Sequence, residues 1–465
     1  MSTNQRVALY GGSFNPPGLH HRRIVEQLTK EFDLVLVVPC GFRSDKKTTN
    51  FTSLLDRAVM ADHTFGDVSK CLVLPDDLVD GNFTTTWAQL QRYQYMGDVS
   101  VVLGADLLSG GRMSPVYSQW EQGQQLWENA SFVCVPMKSF PVKQADLPPK
   151  CRVLNFNLEG SQSTAIREEI FHGHQFREYV VPRVHDYIQR YNVYRPGANV
   201  RQGLVEFDPG KPVIVEFDEG NEKAAEFAKC LVPTSDPSAA QAIVSIGGDG
   251  FMLQTIRKHC GKRLPFLGLN AGHRGFLLND VAKYPLLQRD LHGTFHVYQM
   301  PLLRVTFRMA DGVNMESDLA FNDVWVQSAM GRTAWMEVTA GKDQCLPRLV
   351  ADALLVSTPA GSTAYAHSMG ATPLLIGSPA LLMVGSNVIE PNFKWAPVPL
   401  DSKIEVRTLD RSGKRPLFGF VDGRDVGEVI SMTVEVSNTA AAELMFAQGH
   451  DIAAKISQIH FPSAK

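Results

Sequence analysis

Short runs of β-branched and apolar residues alternate with helical patterns along residues 1–195 of the chain. Because consecutive parallel strands must be joined by crossovers, this alternation predicts a doubly wound, mainly parallel sheet of the α/β class. The predicted strands are 6–10, 33–39, 99–104, 131–135 and 152–156, and the predicted helices are 21–31, 53–63, 86–95 and 165–171.

The pattern changes twice further along the chain. Residues 195–210 are rich in Gly and Pro and lack clear periodicity, which indicates a domain boundary. A second α/β unit follows, with strands at 213–217 and 242–246 and a helix at 221–230. From about residue 301, alternating strands and turns with hardly any helix indicate an antiparallel β part.

These changes divide the chain. We predict a first domain over residues 1–200 and a second over 211–465. Within the second, an α/β part at about 211–300 precedes a β-rich part at about 301–450. A chain of 465 residues is long enough for two or three domains.

Composition excludes some classes of function. The chain has 45 Lys and Arg against 48 Asp and Glu, a formal net charge of −3, so we expect neither a nucleic acid nor a membrane as partner. No apolar run approaches the ~18 residues of a membrane span. Seven cysteines without a CxxC pair predict buried free thiols in a reducing compartment. With no signal-peptide pattern at the start, we expect a cytoplasmic protein.

Two segments of the first half have the character of anion cradles. Residues 11–21 (GGSFNPPGLHH) follow the first strand and open a helix, where backbone N–H groups and the helix dipole favour phosphate. Residues 161–167 (SQSTAIR) again open a helix, with hydroxyl groups at its start and Arg167 one turn in. Taken singly, the first is also compatible with a plain tight turn and the second with a capped surface helix.

Together and in this order, the two segments resemble the nicotinamide/nicotinate mononucleotide adenylyltransferases, nucleotidyltransferases with a GxFxPxHxxH loop and an ISSTxxR signature. The resemblance covers about residues 5–195 and includes the basic pair at 46–47, the Arg-containing helix at 54–60 and GADLL at 104–108. It implies in-line attack of a mononucleotide phosphate on the α-phosphorus of ATP, with Mg²⁺ accompanying the triphosphate. The residues that it assigns are His21 and Arg167 as catalytic, and Gly12, Ser13, Phe14, His20, Lys47, Asp106, Trp120, Ser163 and Thr164 as ATP- or mononucleotide-binding.

The loop departs from this family at two positions. Gly18 stands where the family has His or Thr, and His20 stands where it has Gly. A small shift of the turn would let His20 replace the missing side chain. Alternatively, the site is slow or inactive.

A second set of motifs lies in the other half. The GGDG turn at 247–250 follows a strand and opens a helix, so its glycines admit a phosphate while Asp249 can accept or orient a hydroxyl proton. A lone GGDG is equally compatible with a tight turn and a solvated Asp. GLNAGHRGFL at 268–277, Asn322-Asp323 and STPAGSTAY at 357–365 follow in order.

This ordered set resembles the NAD kinases, over about residues 211–460. The resemblance implies an α/β subdomain followed by an antiparallel β-rich subdomain, and transfer of the ATP γ-phosphate to the 2′-hydroxyl of the NAD adenosine ribose. It assigns Asp249 as catalytic, and Gly250, Asn270, Asn322, Asp323, Asp352, Thr363, Ala364, Tyr365 and Ser368 as NAD-binding.

The second half also departs from its family. Phe251 replaces a Thr after GGDG, and Asp323 replaces a Glu, which shortens the carboxylate by about one methylene. Ala351-Asp352-Ala353 lacks a glycine of the family's GDG segment. Arg424 follows Asp422-Gly423, where the family has Gln or Asn. We expect the loss of the hydroxyl at Phe251 to affect ATP more than NAD.

Three functions fit these observations. The first is a bifunctional enzyme that makes NAD from nicotinamide mononucleotide (NMN) and ATP and then phosphorylates it. The fusion favours NMN over nicotinate mononucleotide because only the amidated dinucleotide is a direct kinase substrate. The second is an NAD kinase with a nucleotide-sensing first domain, and the third is a scaffold of two decayed enzyme folds. A homo-oligomer is expected by analogy with NAD kinases.

Overall fold

The computed structural model describes residues 5–46, 49–155, 162–196, 201–272, 275–280, 292–329, 331–341, 344–410, 413–451 and 454–457. The chain divides into two compact units, residues 1–200 and 201–465.

The first unit contains a six-stranded, all-parallel sheet in the order β3-β2-β1-β4-β5-β6. Its strands are β1 Arg6–Gly12, β2 Leu34–Pro39, β3 Cys71–Val73, β4 Asp98–Gly104, β5 Ser131–Val135 and β6 Cys151–Val153. The order reverses between β1 and β4, and ligands of open α/β sheets bind where the strand order reverses. The α/β fold class is confirmed, whereas the edge strand β3 was not predicted from the sequence.

Helices lie on both faces of this sheet, and β1, β2 and β5 are accordingly buried along most of their length, while β4 is buried in its second half. The α-helices are α1 Leu19–Leu28, α2 Leu54–Phe65, α3 Asp76–Val79, α4 Thr86–Tyr93, α5 Ala105–Leu108, α6 Pro115–Ser118, α7 Gly123–Asn129, α8 Ser163–Phe171 and α9 Pro182–Tyr191. Ser53 is the N-cap of α2, and its side chain accepts a hydrogen bond from the backbone N–H of Asp56 (3.0 Å). Helix α9 carries one apolar face, Val184, Tyr187, Ile188 and Tyr191, which is buried.

The second unit is built on one continuous sheet that, in the described part of the chain, contains fifteen strands. They are β7 Gln202–Phe207, β8 Ile214–Phe217, β9 Ile243–Gly247, β10 Phe266–Asn270, β11 Gly293–Met309, β12 Asn314–Glu316, β13 Asp323–Ser328, β14 Ala334–Ala340, β15 Gln344–Ala351, β16 Ala353–Ser357, β17 Ala380–Ser386, β18 Trp395–Pro399, β19 Ile404–Thr408, β20 Leu417–Val421 and β21 Arg424–Ala447. Strands β8, β9 and β10 are parallel, and the α-helices are α10 Glu222–Ala228, α11 Asp249–His259 and α12 Tyr365–Ser368.

Two long antiparallel strands connect the α/β part to the β-rich part. β11 has 17 residues and β21 has 24, and they pair from Phe295↔Ala447 to Met309↔Val429. The end of β21 also pairs in parallel with β10. The predicted change from parallel to antiparallel pairing is therefore present, although β11 begins at Gly293, before residue 301.

Two local expectations differ from the structure. The segment 195–210, which was read as lacking periodicity, contains β7, and β7 pairs with β11 from Gly293↔Phe207 to Tyr298↔Gln202. The described cysteines are free thiols, but only Cys40 and Cys134 are buried. Cys230 is exposed, and the others are half-buried, namely Cys71, Cys151 and Cys260. In the described part of the chain, no helix combines the length and apolar character that crossing a membrane requires.

Candidate nucleotide-binding sites

The two anion cradles of the first unit contact each other directly. Oγ of Ser163 donates a hydrogen bond to the carbonyl oxygen of Pro16 (2.9 Å), and Nη1 of Arg167 donates to the carbonyl oxygen of Asn15. Nη2 of Arg167 also donates to Oγ1 of Thr164 (3.1 Å). The loop after β1 and the start of α8 thus form one site at the carboxyl edge of the sheet, beside the reversal of strand order.

His21 in this site is a neutral imidazole with a defined tautomer. The backbone N–H of Gly18 donates to Nδ1 of His21 (3.1 Å), so the ring proton is on Nε2, which remains a donor. Burial, together with the neighbouring His20 and Lys46, lowers the pKa of His21 well below its usual value. The ring of His20 lies 3.8 Å from that of His21, and burial and Arg23 lower the pKa of His20 to about 4.

Phe14 shapes the loop from within the core. Its side chain is 2% exposed, its φ is +42°, and its ring lies against the rings of Tyr10 (5.4 Å) and His21 (5.3 Å). A Cβ on Gly12 would lie 2.9 Å from this ring, so a glycine is required there. The Phe14 side chain therefore positions the loop and is too buried to form a binding surface.

A cavity of about 400 Å³ opens at the ends of β1 and β4. It combines apolar walls with hydroxyl, amide and charged groups, which is the usual character of a small-molecule site. Its lining includes Gly11, Gly12, Arg43, Asp45, Phe83, Thr85, Gln89, Leu107, Trp120 and Glu121. Gly12 and Trp120, which were predicted separately, thus line the same cavity. Asp106 is exposed in α5, immediately before the lining residue Leu107.

Three further features of this site emerge from the structure: Arg57, the Thr85–Glu121 pair and Lys46. Arg57 is fully buried and donates from Nε (3.1 Å) and Nη2 (2.9 Å) to the carbonyl oxygen of Ser13, and Nη2 also contacts the carbonyl oxygen of Cys40. Oγ1 of Thr85 donates to Oε2 of Glu121 (2.6 Å), which fixes a carboxylate in the cavity wall. Lys47 lies outside the described residues.

The third is Lys46. Loss of hydration lowers its pKa, and the guanidinium groups of Arg43, Arg167 and Arg57 lower it further, although Cys40 acts in the opposite direction. The basic pair at 46–47 was recognised in the sequence, but Lys46 was not assigned to the site. It adds a positive group near Arg167.

In the second unit, Asp249 is the first residue of α11, at the carboxyl end of β9. Its Oδ2 accepts from the backbone N–H of Phe276 (2.8 Å) and its Oδ1 from that of Leu277 (3.1 Å). A Cβ on Gly250 would meet no atom within 4 Å, so the space in front of this turn is open. Oδ1 of Asn270, at the end of the adjacent β10, accepts from the N–H of Gly272 (2.9 Å).

A second cavity, of about 360 Å³, lies near this turn. Its lining contains predicted residues from two separate segments, together with one residue of α11 and three residues that were not predicted: Leu253, Asn322, Asp323, Trp325, Ala364, Tyr365, Asp422 and Gly423. Leu253 is one turn after Asp249 on the same face of α11, which connects the GGDG turn to this cavity. The ring centroid of Tyr365 lies 5.0 Å from that of Trp325. The ring of Phe420 is stacked on Trp325, with the two centroids 4.8 Å apart.

Two carboxyl groups are close together in this cavity. Asp323 is 3% exposed, and burial together with Asp422 raises its pKa to about 7. Oδ2 of Asp422 accepts from the N–H of Phe321 (2.8 Å), and Oδ1 from those of Asn322 (2.8 Å) and Asp323 (3.2 Å). Asp422 was absent from the predicted site, although Asp422-Gly423 between two alternating strands is a recognisable hairpin turn.

The remaining predicted residues are placed differently. Thr363 lies in the turn of 3₁₀-helix before α12, and Ser368 is the exposed last residue of α12. Asp352 lies outside the cavity formed by its own chain. It precedes β16, whose other end, Ser357, pairs with Asp323, so it lies roughly 17 Å along the strand. Its Oδ2 accepts from Nδ2 of Asn387 (2.7 Å).

Each unit thus has a glycine-containing turn at the carboxyl end of a parallel strand with a cavity nearby, an arrangement that is suited to binding a nucleotide. A family model described as Cytidylyltransferase-like matches residues 9–169, and one described as ATP-NAD kinase N-terminal domain matches residues 209–284. The two matches support a two-domain chain with a cytidylyltransferase-like first half and an NAD kinase second half.

Curated proteins identify the second half more closely. NAD kinase from Cereibacter sphaeroides is 31% identical over 242 residues, which are 52% of this chain and 92% of that protein. NAD kinases from Zymomonas mobilis (33% over 244 residues) and Rhizorhabdus wittichii (34% over 243 residues) each match over 52% of this chain and 93% of their own length. The chain belongs to the NAD kinase family through this half.

Two solved structures are also similar. Yeast NADH kinase complexed with NADH has a TM-score of 0.46 and 16% identity, covering 55% of this chain and 89% of that chain. An NAD kinase from Archaeoglobus fulgidus in complex with ATP has a TM-score of 0.41 and 20% identity, covering 54% of this chain and 98% of that one.

Proposed function

We propose that this NAD kinase family member is a bifunctional enzyme that adenylates a pyridine mononucleotide to the dinucleotide and then phosphorylates NAD to NADP. The observation that carries the first activity is the direct docking of the Ser163–Arg167 segment onto the loop after β1. This contact joins two separate sequence motifs into one anion cradle beside a cavity of suitable size.

Adenylyl transfer requires positioning and charge neutralisation rather than a covalent intermediate. The mononucleotide phosphate attacks the α-phosphorus of ATP, and pyrophosphate leaves. Nε2–H of His21 and the guanidinium of Arg167 are donors for the triphosphate, and Lys46 adds positive charge nearby. Because His21 is neutral, it acts as a hydrogen-bond donor without adding a formal charge.

Mg²⁺ bound together with ATP would supply charge neutralisation at the triphosphate. Within the described residues, no group of three His, Cys, Asp or Glu side chains is arranged to hold a metal ion. The chain's own groups would hold the triphosphate of an ATP–Mg²⁺ complex, with Asp106 as an exposed carboxylate available for a ribose or the cation.

The acidic wall of the first cavity favours NMN over nicotinate mononucleotide. The carboxylate of Glu121 faces the cavity next to Trp120, and Arg43, the basic lining residue, is paired with Asp45 (2.5 Å). A nicotinate carboxylate would add a like charge beside Glu121, whereas the carboxamide of NMN can donate a hydrogen bond to it. This charge argument agrees with the pathway argument that only NMN gives NAD directly.

In the kinase reaction, the 2′-hydroxyl of the adenosine ribose attacks the γ-phosphorus of ATP. The open turn at 247–250 is suited to receive the phosphates, and Asn322, Ala364 and Tyr365 are suited to hold the nucleoside part of NAD. Asp249 is anchored to the backbone of Phe276 and Leu277, so it fixes the geometry of the phosphate turn.

A second function, favoured by Gly18, is an NAD kinase whose first unit binds nucleotides without catalysis. An assay distinguishes the bifunctional enzyme from the kinase with a sensing unit. The purified full-length protein is incubated with NMN, ATP and Mg²⁺ while NAD, NADP and pyrophosphate are followed over time. NAD and pyrophosphate rising together, followed by NADP, support the bifunctional enzyme. NADP from added NAD but no product from NMN supports the sensing unit, and turnover of nicotinate mononucleotide in preference to NMN contradicts the assigned substrate.

A further inference from the structure

We propose that Lys455, in the segment that follows β21, is a positioning residue for the kinase reaction, an inference that rests on the kinase activity proposed above. Its ammonium group binds the loop that holds Asp249 at the phosphate turn, so it acts through this loop and not on a substrate. The sequence motifs assigned no residue of this segment to a site.

The topology of the sheet explains why this segment reaches the phosphate turn. β21 pairs in parallel with β10 at its end, and β10 pairs in parallel with β9. The carboxyl ends of these three strands therefore lie at one edge of the sheet, the edge at which open α/β sheets bind ligands. The chain that leaves β21 at Ala447 thus leaves the sheet at the same edge as the turn at 247–250.

Lys455 and Asp249 bind the same loop through complementary groups. Nζ of Lys455 donates to the carbonyl oxygens of Gly275 (2.7 Å) and Leu278 (3.0 Å). The backbone N–H groups of the two residues between these carbonyls donate to the carboxylate of Asp249. Because one partner in each of these bonds is an ionised group, they are stronger than bonds between neutral groups. One cation and one anion therefore fix four backbone groups of a short loop.

The far end of this loop has an anchor of its own. Asn279 is fully buried, and its Nδ2 donates to the carbonyl oxygens of Gly268 and Met445, both at 2.9 Å. This anchor joins the loop to β10 and β21 without Lys455, so we expect the unit to fold when the ammonium is removed. What depends on the ammonium is the exact place of the N–H groups that hold Asp249.

The place of Asp249 matters because this residue belongs to the phosphate turn. A Cβ on Gly248 or on Gly250, on either side of Asp249, would meet no atom within 4 Å, so the turn is open to a ligand. Phosphoryl transfer depends on the positioning of the donor, and a small displacement of the turn slows it. The NAD cavity is lined mainly by other segments. Loss of Lys455 should therefore lower kcat more than it weakens NAD binding.

The test measures kcat and KM for NAD and for ATP in full-length protein with substitutions at Lys455. Lys455→Met keeps the apolar stem without its donors, and it should lower kcat for NADP formation by about tenfold to 100-fold, with less than about a threefold change in KM for NAD. Lys455→Arg keeps a cation with several donors, so its kcat should stay within about threefold of wild type. Lys455→Gln, which is shorter and neutral, should give an intermediate kcat, and it replaces Lys455→Met if that variant does not fold.

The matched control is Lys229→Met, because Lys229 is an exposed residue at the end of α10. Its kcat for NADP formation should equal that of wild type. Pyrophosphate release from NMN and ATP, which uses the other unit, should be the same in all variants.

Hydrogen exchange locates the effect within the unit. In Lys455→Met, a peptide covering residues 275–280 should lose protection while β9 keeps it. Gly275→Ala disturbs the same loop from inside, because its Cβ would lie 3.3 Å from Oδ1 of Asp249. Combined with Lys455→Met, it should lower kcat little beyond the more damaging single variant, since both changes act on one loop.

Four results would overturn the inference. The first two are an unchanged kcat in Lys455→Met and a loss in Lys455→Arg that equals the loss in Lys455→Met. The third is a fall in kcat with full protection at 275–280. The fourth is a loss of protection throughout the second unit, because Lys455 would then serve stability and not position. A wild-type protein that forms no NADP from NAD and ATP would instead contradict the proposed kinase reaction, which is a separate outcome.

Discussion

A Cβ atom placed on Gly18 would lie 2.6 Å from Nδ1 and 2.7 Å from Cε1 of His20. The ring of His20 therefore occupies the space into which a side chain at position 18 would project. Compared with the family loop, Gly and His have exchanged places, and the imidazole reaches the same region from two residues further along. This relationship favours an active loop in which His20 replaces the missing side chain.

The first prediction concerns this exchange. Gly18→His alone should lower adenylyl transfer by about tenfold to 100-fold, because the added ring collides with His20 and with Ile166, whose Cδ1 would be 3.1 Å away. The double variant Gly18→His/His20→Gly restores the family arrangement and should keep activity near that of wild type. Pyrophosphate release from NMN and ATP measures both.

The kinase reaction of the same protein is the internal control, because NADP formation from added NAD uses the other unit and should not change. An increase in adenylyl transfer in Gly18→His alone would contradict the exchange and would support the sensing interpretation.

The second prediction concerns the choice of mononucleotide. Glu121→Gln should raise kcat/KM for nicotinate mononucleotide relative to NMN by about tenfold, which corresponds to ~1.4 kcal/mol, because a like charge is removed from the cavity wall. Competition between the two mononucleotides in one reaction measures the ratio. Glu128→Gln is the matched control, since Glu128, on α7, pairs with Arg112 (3.0 Å) and does not line the cavity. An unchanged ratio in Glu121→Gln would refute the role of this carboxylate.

The sequence patterns predicted the strands, helices and turns that depend on residues close together in the sequence. The parallel strands and helices of the first unit follow from hydrophobic periodicity, and the loop after β1 and the start of α8 are recognisable from their glycine and hydroxyl residues. The edge strand β3 was missed because three residues, Cys71–Val73, are too short to show alternation. β7 was missed because its partner, β11, begins more than 80 residues later.

The candidate sites were predictable only as separate motifs. Which residues meet depends on pairing between distant segments, so the contacts of Asp422 with the backbone at 321–323 had no local signal. The same is true of the ring of His20 beside Gly18. Asp352 shows the reverse case: its motif was recognised, but the antiparallel register of β13 and β16 places it at the far end of the strand pair, so its assignment to the NAD site stays a prediction.

The third prediction concerns the close approach of two segments in the kinase unit. A Cβ on Gly361 would lie 2.1 Å from the carbonyl oxygen of Asn322, so Gly361→Ala must displace the backbone beside the cavity. We expect the free energy of unfolding to fall by about 1–3 kcal/mol and kcat/KM for NAD to fall by more than tenfold. Chemical denaturation and kinase assays measure these effects.

Gly261→Ala is the matched control for that variant, because a Cβ there would meet no atom within 4 Å. It should leave both quantities unchanged. Wild-type kinetics in Gly361→Ala would show that the segment at 357–365 does not depend on this contact.

The fourth prediction is a dependence of stability on pH in the first unit. Folding lowers the pKa of His20 to about 4, from an ordinary value near 6.5, and lowers that of His21 as well. The unfolded chain therefore binds more protons between these values, so stability is complete above about pH 6.5 and is lost as the pH falls towards 4. From pH 7 to pH 5, His20 alone should reduce the free energy of unfolding by about 1–2 kcal/mol. Hydrogen exchange of peptides from residues 5–46, corrected for intrinsic rates, measures this loss of stability.

The variant His20→Gln should diminish the loss. The control variant is His174→Gln, at an exposed residue paired with Glu169, and it should leave the loss unchanged. Equal protection of these peptides at both pH values would show that the two imidazoles are not held neutral by the fold.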